Sequence, residues 1–94
     1  MQLICTIEDV FYITGRGCVV VPGIPYEFPT PVGIGAQLLI ETPSGEHVRT
    51  TLISMEMISR GKPMNHAPFS VPSNIAKNQL PVGSKVFLVE DAHA

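Results

Sequence analysis

Ninety-four residues suffice for one domain with one modest core. A formal charge of −2, with only 15% of side chains charged, excludes the basic stripe of a protein held on DNA by counterion release. The six basic residues (Arg16, Arg49, Arg60, Lys62, Lys77 and Lys85) are dispersed along the chain. An apolar content of 45% argues against a disordered chain. No window reaches the roughly 20 apolar residues of a membrane-spanning helix. Met1–Cys5 lacks the basic region and the apolar length of a secretory signal. The expectation is a cytoplasmic domain with no membrane partner.

Nine Pro and eight Gly punctuate short runs rich in Val, Ile, Thr and Phe, which favours strands over helices. The first strand is predicted from about Gln2 to Ile13, interrupted near Glu8-Asp9. Thr14-Gly15-Arg16-Gly17 forms a tight turn, its glycines supplying positive φ. Cys18–Val21 returns as the second strand and Pro22 ends it. Gly23–Gly35 reads as an ordered, extended loop that lays Tyr26 and Phe28 on the body of the domain. Ala36–Thr42 is the third strand, Pro43-Ser44-Gly45-Glu46 a turn, and His47 to about Ile58 the fourth strand. In that strand Ile53, Met55 and Met57 share one face, expected in the core, and Ser54 and Glu56 the other. Arg60–Pro68 is a loop, Phe69–Val71 a short strand, and Asn74–Pro81 a polar connection. Lys85–Val89 is the last strand, and Glu90–Ala94 a frayed tail on a single domain spanning 1–94. About six or seven antiparallel strands at this spacing give an all-β fold, and a small closed β-barrel disposes of sheet edges most economically.

No catalytic signature stands out. The sequence has no G-x-x-x-x-G-K-[ST] loop to cradle a triphosphate, and His47, His66 and His93 lack metal-ligand spacing. Cys18 and His66 could form a nucleophile–base pair, but neither has a flanking motif. The two cysteines, Cys5 and Cys18, read as buried thiols rather than a disulfide framework. No enzyme, cofactor or metal is expected.

Residues 7–20, Ile-Glu-Asp-Val-Phe-Tyr-Ile-Thr-Gly-Arg-Gly-Cys-Val-Val, resemble the second domain of the elongation factor Tu family, the translation-factor β-barrel. That family has an acidic pair, Val-Phe, then Gly-Arg-Gly, a small residue and Val-Val. The turn at Pro43–Glu46 with the strand ending Ile53–Met57, and the closing segment Leu80–Leu88, are similar to the family's as well. The resemblance implies a translation-factor domain 2-like barrel, here standing alone. It implies Glu8, Asp9 and Phe11 as binding residues around a pocket for the aminoacylated end of tRNA, and Arg16 as a surface contact. The sequence departs from the family after Val-Val, where Val21-Pro22-Gly23 replaces Thr-Gly-Arg.

The expected function is therefore a non-catalytic binding module acting through protein–protein contact, as a mimic, an inhibitor or an assembly subunit. Tyr26 and Phe28 are candidate interface residues. The alternative is a translation-associated module touching the aminoacyl-tRNA acceptor end or the ribosome, with homo-oligomerisation through a sheet edge as a further option.

Overall fold

Short β-branched runs separated by Pro and Gly become eight strands in the computed structural model, which describes residues 1–57 and 65–90. They are β1 (Gln2–Thr6), β2 (Asp9–Ile13), β3 (Gly17–Pro25), β4 (Gln37–Glu41), β5 (His47–Thr51), β6 (Ser54–Met55), β7 (His66–Ser70) and β8 (Lys85–Leu88). A single 3-10 turn, Lys77–Gln79, lies in the connection before β8. The strands form two four-stranded sheets, ordered β1-β8-β4-β5 and β2-β3-β7-β6, with antiparallel neighbours throughout. The all-β reading holds.

The closed barrel is corrected to two sheets laced at two corners. The Ile7 N–H donates to the Ser84 carbonyl, on the first sheet's side, while the next N–H, Glu8, donates to Val21 of the second sheet. The same step recurs at Leu52 and Ile53, whose N–H groups go to Ala36 beside β4 and to Ser70 of β7. A backbone that switches sheets in one residue cannot keep one ladder running past the corner. Each of the two long strands expected from sequence therefore splits in two, giving eight strands, and no ladder joins the sheets among the described residues.

Pro22 does not end its strand. β3 runs on to Pro25, and its register with β7 slips between Val20 and Ile24, so Pro22 sits in an irregular stretch where a missing N–H is tolerated. Gly23 makes that stretch feasible. Its φ is +97°, and a Cβ there would fall on the backbone carbonyl of Ala67.

Ile7, Val10, Val20, Leu38, Ile40, Leu52, Phe69 and Val86 fill the space between the sheets, each at most 2% exposed. Phe28 and Val32 of the long loop pack against this core, as expected for Phe28; Tyr26 does not, being 64% exposed. The turn at Pro43–Glu46 forms as expected, with the Glu46 N–H donating to Thr42 Oγ1. Both cysteines are buried free thiols. Ile58, Arg60, Lys62, Met64 and the tail 91–94 lie outside the described residues.

Candidate functional site

The second sheet has two unlike faces. Cys18 and Val20 of β3 belong to the core, whereas their fully buried neighbours Val19 and Val21 do not, so the latter lie on the face turned away from it. Pairing fixes the side chains of that outer face. Phe11 stands opposite Val19, Val19 opposite Ser70, and Ser70 opposite Ser54, one row across all four strands. The next row, Val10–Val20–Phe69–Met55, faces the core.

Glu56 is the unusual member of this region. Its side chain is only 6% exposed, although a lone carboxylate resists burial. Three groups compensate. The Ser54 hydroxyl donates to Oε2 at 2.5 Å, Arg16 Nη1 donates to Oε1 at 2.5 Å, and Ser70 Oγ stands 3.0 Å from Ser54 Oγ. The Ser54 hydrogen bond leads in holding the Glu56 carboxyl below its ordinary range; Ser70 and the Arg16 charge and hydrogen bond add to it, and burial opposes them.

Arg16 stands at the tip of the β2–β3 hairpin, beyond the Ile13–Gly17 pair, and Glu56 comes directly after β6, the opposite edge strand. The Arg16 side chain therefore reaches from the hairpin tip to the carboxylate beside that edge. The local sequence builds this reach. Gly15 and Gly17 have φ of +85° and +104°, and a Cβ on Gly17 would meet the Val71 carbonyl at 2.9 Å, so the tip sits directly against the strand end. Gly15, Arg16, Ile53, Ser54, Met55, Glu56 and Ser70 line the resulting open cleft.

The rim of the cleft corrects one expectation. Alternation assigns Met55 and Met57 to the core, yet Ile53, Met55 and Met57 are 44%, 44% and 96% exposed. The alternation itself is right, since Met55 shares its row with core residues. β6 is a two-residue strand at the sheet's edge, however, and nothing among the described strands lies beyond it to cover Met55. Edge position, not facing direction, decides exposure here.

The residues singled out from sequence fall into separate places. Arg16 lines the cleft. Phe11 is 37% exposed at the far end of the row that reaches Ser54. Asp9 Oδ1 accepts from the Val10 N–H at 2.8 Å, and Glu8 marks the corner between sheets. Tyr26 lies in a second depression with Pro25, Glu27, Asn65 and His66. Sequence reasoning missed Ser54, Ser70 and Glu56 as site residues. A carboxylate alternating with Met and Ile was the one available signal.

Both thiols are sheltered. Burial first, with Glu8 adding, pushes the Cys5 thiol up to about 11 against a backbone hydrogen bond from Gly23 that lowers it. Burial likewise raises Cys18, whose Sγ donates to the Ile75 carbonyl at 3.6 Å. Among the described residues no cluster of three or more His, Cys, Asp or Glu could hold a metal, and no helix is long and apolar enough to cross a membrane. No protein-family model, no curated protein and no solved structure matches this protein.

Proposed function

We propose that the protein is a non-catalytic protein-binding module, and that it docks its partner on the cleft between the hairpin tip and the Ile53–Met57 edge. The observation that carries this reading is the apolar rim. Ile53 and Met55, which line the cleft, are each 44% exposed, beside a sheltered carboxylate paired with a largely exposed guanidinium. Solvent-exposed apolar side chains grouped at one place mark contact surfaces, and Met adapts its shape to a partner. The ion pair gives that surface a fixed polar centre beside the apolar edge, the arrangement of a protein-recognition patch.

The elongation factor Tu-like barrel belongs to this proposal as a statement of descent. Residues 7–20 carry the likeness, and the two corner-laced sheets approximate a barrel whose ladder is broken at its bends. Fold ancestry does not assign a ligand. The dispersed basic residues and the net charge of −2 favour a protein over tRNA.

The test is a panel of short peptides carrying a central Leu, Phe or Met, titrated into protein labelled with ¹³C at the methionine methyls. Saturable shifts at Met55 and Met57 are expected, with the affinity measured by calorimetry weakened in the double variant M55S/M57S. If a labelled RNA hairpin shifts these signals while no peptide does, the protein-binding reading fails.

A further inference from the structure

The two sheets have four edge strands, and three of those edges are guarded against further pairing. β1 lies against β3. β6 is only two residues long. On the second sheet the Val71 N–H donates to the Cys18 carbonyl, so Val19 and Val21 bond to β2 and Val10 points its own N–H to the open side, where Asp9 Oδ1 accepts it. β5 (His47–Thr51) has no such cover. The Thr42 N–H donates to the Glu46 carbonyl and the Leu52 N–H to the Ala36 carbonyl, so even-numbered residues along β5 bond to β4. His47, Arg49 and Thr51 turn their N–H and C=O groups the other way, and among the described residues nothing pairs with them. The side chains of these three stand on the face away from the core, since the alternate pairs Leu38–Thr50 and Ile40–Val48 face it. Arg49 is exposed, and among the described residues no ion pair or hydrogen bond engages its guanidinium. The carboxylate of the neighbouring row, Glu41, is 3.4 Å from His47 and stands opposite Lys85. The open edge therefore carries a cation with no counter-charge.

We propose that β5 accepts an extended, antiparallel strand from a partner protein, and that this strand carries a Glu or Asp side chain opposite Arg49. The surface is separate from the cleft, so the inference goes beyond the docking reading above. Main-chain bonds to His47, Arg49 and Thr51 supply the affinity. The pair between carboxylate and guanidinium selects the strand and fixes its register. Charge argues against a second copy of this protein as the occupant. The open groups bond only when odd-numbered residues face odd-numbered ones. Every two-fold register that engages two or more of the three open residues then sets Arg49 directly or diagonally across from its symmetry mate on one face, where like charges are destabilising. A strand bearing a carboxylate at that place meets no such opposition.

The experiment titrates acetylated, amidated pentapeptides into the full-length protein labelled with ¹⁵N. The peptides are Thr-Val-Glu-Val-Thr and its counterparts with Gln or Lys at the centre. With the Glu peptide, saturable shifts and slowed hydrogen exchange are expected at the His47, Arg49 and Thr51 amides, and smaller changes at Val48 and Thr50. Gln at the centre should weaken binding about two- to fivefold, the worth of a cross-strand charge pair, and Lys should weaken it further. R49E, at an exposed position, should reverse the order, so that the Lys peptide binds best. Methylating the central backbone nitrogen of the Glu peptide should abolish binding, which separates strand pairing from simple charge attraction. If the three peptides bind alike, or R49E leaves their order unchanged, the charge assignment fails and the inference is overturned. It is overturned equally if the protein alone sediments as a dimer with those three amides already protected, since the occupant is then a second copy. If no pentapeptide moves these amides while Met55 and Met57 respond to the apolar panel, this inference falls and the cleft reading stands.

Discussion

Replacing Glu56 by Gln keeps the shape of the side chain and removes its charge, which isolates what the buried carboxylate contributes. In the native protein Glu56 accepts from Ser54 and from Arg16, both at 2.5 Å. The amide has one oxygen, so one donor loses a charged acceptor and the other faces an NH₂ group. The Ser54 side of the site is sheltered, and losing its charge-assisted bond costs about 1–1.5 kcal/mol. Arg16 is 60% exposed, so solvent screening limits its share to about 0.5–1 kcal/mol. The sum, about 2 kcal/mol, corresponds to a fall in Tm of roughly 8–16 °C for a domain of this size. The pH dependence gives the sharper check. The folded Glu56 pKa is depressed, chiefly by the Ser54 hydrogen bond, so its stabilisation is complete above the unfolded carboxyl value of about 4.3. It is lost as pH falls through the folded value. Urea unfolding of both proteins from pH 7 to pH 3 should show their stabilities converging on acidification. A gap under about 0.5 kcal/mol at pH 7, or one that widens in acid, would refute the reasoning.

The two edge methionines should tolerate M55S and M57S with stability changes within about 0.5 kcal/mol, whereas L52A, at a fully buried position, should cost about 2–5 kcal/mol in the same denaturation assay. Gly23→Ala places a Cβ on the Ala67 carbonyl at positive φ, so a loss of at least about 3 kcal/mol or failure to fold is expected by circular dichroism. Gly15→Ala, where the added Cβ meets open space, should cost only about 1–2 kcal/mol. Cys5 and Cys18 should resist a thiol reagent at pH 8 in the native protein and react promptly in denaturant, because burial excludes the reagent and keeps the Cys5 thiol protonated until about pH 11. Prompt native reaction of both would contradict their burial.

Local rules carried much of the fold. Gly15 and Gly17 announced their hairpin because the turn needs positive φ that other residues adopt at a cost. The Glu8-Asp9 break was visible as a polar pair between two apolar runs, and it is where the backbone switches sheets. What failed was lateral position. Alternation in Ile53–Met57 correctly separated two faces, yet no local pattern says that β6 is short and lies at an edge, so the Met side chains looked like core. Pro22 misled for a related reason. The bulge that accommodates it depends on Gly23 meeting Ala67, a contact between distant strands. The site was less legible than the fold. Arg16 was identified, but its partner Glu56 lies 40 residues away, and nothing in the spacing joins them. Ser54 and Ser70 become a polar brace only once β6 and β7 pair.

The central claim is that Met55 of the short edge strand, and Met57 just beyond it, stay in water while the carboxylate between them is sheltered. Methyl NMR with a soluble paramagnetic agent measures it directly. Met57 and Met55 methyl signals should broaden strongly, Met57 more than Met55, while the Leu52 methyls and the carboxyl carbon of Glu56 stay nearly unaffected. Met55 and Met57 methyls as protected as Leu52, with the Glu56 carboxyl carbon relaxed by the agent, would contradict the account.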